Sequence, residues 1–116
     1  MRSKSAKLLE DILDAAAFIQ GVTQGKCLDD YRADRLLRQA AERNFEIIGE
    51  ALKRLTHVDP DLASRISHAS VIVAFRNILA HGYDIIEDER VWQTIVADVP
   101  ALRRQVEELQ REGEAA

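Results

Sequence analysis

The chain has 116 residues, 47% hydrophobic and 31% charged, with a formal net charge of −4, and that length suits one domain around one core. This balance excludes a disordered chain, and no apolar run approaches the 18 or more residues of a membrane span. A single cysteine, Cys27, excludes an internal disulfide and argues against a cysteine-based metal site.

With only five Gly and two Pro, the sequence favours helix almost throughout. The N-terminal stretch from Met1 to Lys7 is basic, and the amphipathic Leu8-Leu9-Glu10-Asp11 that follows is no signal core, so the cytoplasm is the expected compartment. A first helix is predicted from Ser3 or Ser5 to Gln20, with Leu8, Ile12, Ala15 and Ile19 on one face. Gly21 and Gly25 mark a loop. A second helix, capped by Asp29 or Asp30, is predicted to run unbroken to about Leu55, burying Leu37, Ala41, Ile48, Ala51, Leu52 and Leu55. Glu50 and Arg54 form an i,i+4 pair on it. Gly49 inside it costs about 1 kcal/mol against Ala, and either close approach of another helix, from this chain or a partner, or a merely tolerated glycine would account for it.

Asp59-Pro60 reads as an N-cap with proline at the first helical position, opening a short helix. A further helix is predicted over 67–81, with Val71, Phe75, Ile78 and Leu79 inward and Gly82 ending it. The last helical region starts near Asp88, and its stripe of Trp92, Ile95, Val99, Leu102, Val106 and Leu109 is interrupted by Pro100, which should kink or divide it. Residues 113–116 are expected to fray. These elements describe a single all-α domain over 1–116, an up-and-down bundle of four main helices plus a short one.

One segment carries chemistry: Arg76-Asn77-Ile78-Leu79-Ala80-His81-Gly82-Tyr83. An Arg followed by four residues and a His is expected by chance roughly 0.3 times in such a composition, so that pair alone is weak. Asn77 beside the Arg and Tyr83 after the Gly narrow it. On a helix Asn77 and His81 share a face, whereas Arg76 and His81 stand about 140° and 7.5 Å apart, so Arg76 must reach around or the last turn must deform at Gly82.

The motif Arg-Asn-x-Leu-x-His-x-Tyr resembles the catalytic signature of HEPN ribonucleases in the form found in HepT toxins. The flanks fit too: Ala41-Glu42-Arg43 with Glu46-Ile47-Ile48-Gly49-Glu50-Ala51, and Val91-Trp92 with Asp98-Val99-Pro100-Ala101-Leu102. The likeness runs from about Tyr31 to Leu109. It implies a HEPN-like helical bundle and a metal-independent endoribonuclease without cofactor, cleaving cellular RNA such as tRNA or mRNA within a prokaryotic toxin–antitoxin pair. It further implies a minimal nucleotidyltransferase antitoxin, MntA-like, that attaches AMP to Tyr83.

Residue chemistry agrees with that reading. Metal-free cleavage has the ribose 2′-hydroxyl attack the adjacent phosphate, which needs a base, an acid and positive charge on the transition state. His81 can act as acid or base near neutral pH. Arg76 suits phosphate oxygens, and Asn77 would support by orienting His81 or holding a phosphate. One histidine per chain is short of the two groups wanted, and a two-fold homodimer with facing motif helices would supply both. That convergence also answers the acidic net charge, since 12 of the 16 basic residues are Arg and a groove can be locally positive. AMP on Tyr83 would occupy the phosphate site and repel substrate; without it, Tyr83 reads as a buried ring with a wet hydroxyl.

Other residues read more plainly. His57 and His68 lie outside any metal-ligand spacing and are taken as surface or structural, Cys27 as a small hydrophobe, and Glu42, Glu46 and Glu50 as a solvated face. Trp92 is assigned to the core or a dimer contact. The alternative function is a non-catalytic helical module that associates with a nucleotidyltransferase partner.

Overall fold

The computed structural model describes residues 3–67, Ile72 and 88–115. Helix α1 spans Lys4–Thr23, capped by Ser3, whose hydroxyl accepts the Ala6 N–H at 3.0 Å. Its inward face is Leu9, Ile12, Ala15, Ala16 and Ile19, so the stripe runs as expected except that Leu9 takes the buried place and Leu8 is half-buried. Thr23 ends the helix by returning its hydroxyl to Ile19 O at 2.7 Å.

The expected long second helix is two helices. Helix α2 covers Leu28–Ala33 and α3 covers Arg35–Val58, with Asp34 in an extended conformation between them. Asp34 is a better cap than helix interior: its carboxylate accepts the Leu37 N–H at 3.1 Å and opens α3. The carbonyls freed where α2 ends are also satisfied, because the Arg38 guanidinium donates to Arg32 O and the Asp34 N–H to Tyr31 O. Asp30 closes the other end of α2 by accepting the Cys27 N–H at 2.9 Å, and that contact holds its carboxyl below the usual range. Cys27 itself is exposed at this cap, not a packed small hydrophobe.

Helix α3 buries the expected stripe of Leu37, Ala41, Ile48, Ala51, Leu52 and Leu55, together with Phe45 and Gly49. Asp59 then caps α4, Pro60–Ser64, accepting the Leu62 N–H at 3.1 Å with proline at the helix start. Beyond the motif segment, α5 covers Asp88–Gln93 and α6 covers Val99–Ala115, so the helix continues past Gly113. The join is a π-helical turn, Thr94–Asp98, in which the Val99 N–H donates to Thr94 O five residues back. Pro100 has no N–H to give and its ring crowds the carbonyl four residues earlier, and widening the preceding turn relieves both.

The chain is an all-α bundle. Helix α1 packs along both α3 and α6, while α2 bridges α3 and α5. Arg103 on α6 ties it to α1 by donating to Gln20 Oε1 at 2.8 Å. Phe45, Ile12, Ile19, Ile48, Leu52, Leu55, Leu102 and Val106 are fully buried between these helices. Burial of such side chains contributes about 1.5–3 kcal/mol each. Among the described residues, no helix is long and apolar enough to cross a membrane.

Candidate functional site

Arg76, Asn77, His81 and Tyr83 lie outside the described residues, as do His68 and the helix expected over 67–81 apart from Ser67, which is in a turn, and Ile72, which is helical and fully buried. What can be described is the frame that holds the ends of this segment. At the entry Ile66 is buried. Ser67 is clamped to α6 twice, its N–H donating to Gln105 Oε1 at 3.0 Å and its hydroxyl accepting from Gln105 Nε2 at 2.7 Å. Next to this clamp Arg65 meets Glu112 at 2.7 Å. At the exit the chain re-enters the described structure at Asp88, the first residue of α5.

The exit is electrostatically unusual. Tyr31 is wholly buried with its ring 5.6 Å from that of Trp92, and its hydroxyl has no hydrogen-bond partner among the described residues. Burial, followed by the charges of Glu42 and Asp88, pushes the Tyr31 phenol well above its ordinary range, against the pull of Arg38. Burial and the nearby Asp88 carboxylate likewise raise the Glu42 carboxyl, again opposed by Arg38. Asp88 therefore lies near a buried phenol and a carboxyl biased toward holding its proton. The other carboxylates of that helix behave as a solvated face: Glu46 pairs with Arg43 at 3.4 Å and Glu50 with Arg54 at 3.2 Å.

Sequence reasoning missed Tyr31, Glu42 and Arg38 as one group. The signal was Asp34, a strong helix N-cap set mid-stripe, which would have turned α2 away and brought Tyr31 over α3. Trp92 sits half-buried against Tyr31, a core contact as expected. His57 is exposed, and among the described residues no three His, Cys, Asp or Glu side chains converge on a metal position.

Comparison with known proteins agrees with the sequence motif. The family model described as "Ribonuclease HepT-like" matches residues 12–109. A protein named "Putative RNase TTE0752" from Caldanaerobacter subterraneus subsp. tengcongensis is 34% identical over 87% of this chain and 89% of its own length. Another, named "Probable ribonuclease HepT", from Thermococcus cleftensis, is 30% identical over 96% of this chain and 100% of its own length. No solved structure matches the chain. The match covers both helices that frame the motif as well as the motif itself, and the chain belongs to the HepT-like ribonuclease family of HEPN proteins.

Proposed function

We propose that the protein is a metal-independent endoribonuclease toxin that cleaves cellular RNA at the cleft of a homodimer. The observation that carries this is an intact Arg76-Asn77-x-x-x-His81-x-Tyr83 motif within a chain of the HepT-like family. In this reading the ribose 2′-hydroxyl loses its proton to one His81 and attacks the adjacent phosphorus. The P–O5′ bond breaks, and the leaving oxygen takes a proton from the partner's His81. The products are a cyclic phosphate and a free 5′-hydroxyl. The two Arg76 guanidiniums neutralise charge on the phosphorane-like transition state, and Asn77 orients His81. No metal or cofactor takes part.

Tyr83 is the regulatory residue. A nucleotidyltransferase antitoxin transfers AMP from ATP to its hydroxyl, with release of pyrophosphate. The added phosphodiester then occupies the cleft where RNA phosphate would sit.

The test is cleavage of total tRNA and mRNA by purified protein in EDTA, with His81→Ala and Arg76→Ala alongside. General acid–base catalysis contributes about 10²–10⁴-fold, so His81→Ala should lose at least that range of rate. Equal cleavage by parent and His81→Ala, or cleavage only when a divalent ion is restored, overturns the reading. Mass spectrometry of Tyr83 beforehand establishes that the sample is unmodified.

A further inference from the structure

Lys4 and Lys7 on α1 and Arg54 and His57 on α3 line one open depression of about 800 Å³ at the end of the bundle where α1 begins and α3 finishes. Among its lining residues the three fixed cations face one carboxylate, Asp11. This stands out in a chain whose net charge is −4 and which has only four lysines. Two of those lysines fall within one turn of the same helix, and that first turn contains no acidic residue. Cations there oppose the helix macrodipole, so helix stability does not account for them. The side chains are also accessible, with Lys7 60% and Arg54 68% exposed.

Lys7 meets Asp11 at 2.9 Å and Arg54 meets Glu50 at 3.2 Å. Both are solvent-exposed i,i+4 pairs, which are weak and readily exchanged for a phosphate oxygen. The same end of the molecule carries α4, which leads through Ile66 to the clamped start of the motif segment. A positively charged, shallow and open surface suits a flexible polyanion better than a small fixed ligand.

We propose that this depression is an exosite for the RNA backbone: phosphodiesters of single-stranded RNA away from the cleaved bond lie across Lys4, Lys7 and Arg54, with His57 at the edge as a further hydrogen-bond donor. The proposal rests on the ribonuclease reading. It explains how an acidic protein holds RNA, with a second basic surface on each protomer extending the grip beyond the motif.

The experiment measures binding of a labelled single-stranded RNA to the full-length His81→Ala protein, which cannot consume the probe, over a series of salt concentrations. Adding Lys4→Gln with Lys7→Gln should weaken binding about tenfold at 0.1 M salt and flatten the log–log salt slope by about 0.7 per lost contact. Lys26→Gln removes one charge from an exposed position beyond the opposite end of α1, and it should leave affinity and slope unchanged. Arg54→Gln, on the other helix, provides an independent second variant, and thermal melting establishes that each protein is folded. Salt-dependent binding by the His81→Ala protein that is unaffected by these substitutions, or equally affected by Lys26→Gln, overturns the exosite alone and leaves the depression to an acidic protein surface. Absence of any salt-dependent RNA binding overturns the ribonuclease reading and the exosite with it.

Discussion

Where α1 finishes, α2, the start of α3 and α5 close over Tyr31 and draw Glu42 and Asp88 toward one another. Where α1 begins, the helices leave Lys4, Lys7, Arg54 and His57 open to water. Both ends belong to the same antiparallel packing, yet one buries groups whose charges are disfavoured and the other exposes basic side chains. The buried end packs the Tyr31 and Trp92 rings together at the cost of a hydroxyl without a partner among the described residues. The open end keeps lysines in the first turn of α1 at the cost of helix stability. The difference teaches that one small bundle can separate rigidity and polyanion attraction into different ends without a second domain.

The largest test of this contrast is Tyr31→Ala, which removes the ring between α2 and Trp92. Aromatic truncation in a packed core costs about 3–5 kcal/mol, so the melting temperature should fall steeply, whereas Lys4→Gln at the open end should scarcely move it. Equal losses at the two positions would break the contrast. Next is Asp34→Ala, which removes the cap of α3 and with it the stop between α2 and α3. Chemical denaturation should show a loss of about 1 kcal/mol.

Lys4→Glu should act in the opposite sense. An acid in the first turn of α1 complements the macrodipole and should stabilise by about 0.3–1 kcal/mol at low salt, while RNA affinity falls. A substitution that helps folding and harms binding is the mark of a residue kept for function. Tyr31→Phe keeps the ring and deletes the hydroxyl, so stability should match or exceed that of the parent, by up to about 1 kcal/mol.

The smallest effects are pH-dependent. The Glu42 carboxyl is raised by burial and by Asp88, so the folded state holds a proton more tightly than the unfolded chain. That contribution is present in acid and is lost as pH rises through the folded value. Glu42→Gln should therefore stabilise the protein at neutral pH, with the gain vanishing below the ordinary carboxylate range. Glu112 behaves with the opposite sign. Its hydrogen bond to Arg65 lowers its carboxyl, so the stabilisation is present at neutral pH and disappears as the carboxyl protonates. Melting curves of Glu42→Gln and Glu112→Gln across pH should diverge in these directions, the second by very little because the pair is exposed.

Much of this arrangement is legible in the sequence. The apolar spacing of α3 and α6 and the caps at Ser3 and Asp59 depend on local chemistry, and those helices stand where the pattern puts them. The break at Asp34 is harder to read, because Leu28 to Leu55 contains no Gly before position 49 and no Pro. Asp34 becomes a stop only once Arg38 satisfies the carbonyls left by α2, a contact between residues six apart that forms across the break. Tyr31 is hidden for a similar reason: Asp29, Asp30 and Arg32 around it read as surface, and only the short helix turns its ring inward. Pro100 announced a disturbance but not its form, since a kink and a widened turn both answer a missing N–H. The motif residues stand out by their types and spacing alone, and they lie outside the described residues.

The π-helical turn also bears on how such a chain tolerates insertion and deletion. Val91, Ile95 and Val99 are all buried although they follow one another at two steps of four, a spacing that in an α-helix would drift by roughly 80°. The widened turn accommodates that drift, so the hydrophobic face of α5 flows into that of α6. Loss of a single residue between Thr94 and Asp98 would let ordinary α-geometry return, and the seven residues then separating Val91 from the present Val99 span about 700°, only about 20° short of two full turns. Arg103 would still face Gln20, and Gln105 would still face Ser67. A one-codon deletion in regular α-helix shifts every later side chain by about 100°, so the widened turn should be the place in this helical run where such a loss is best tolerated.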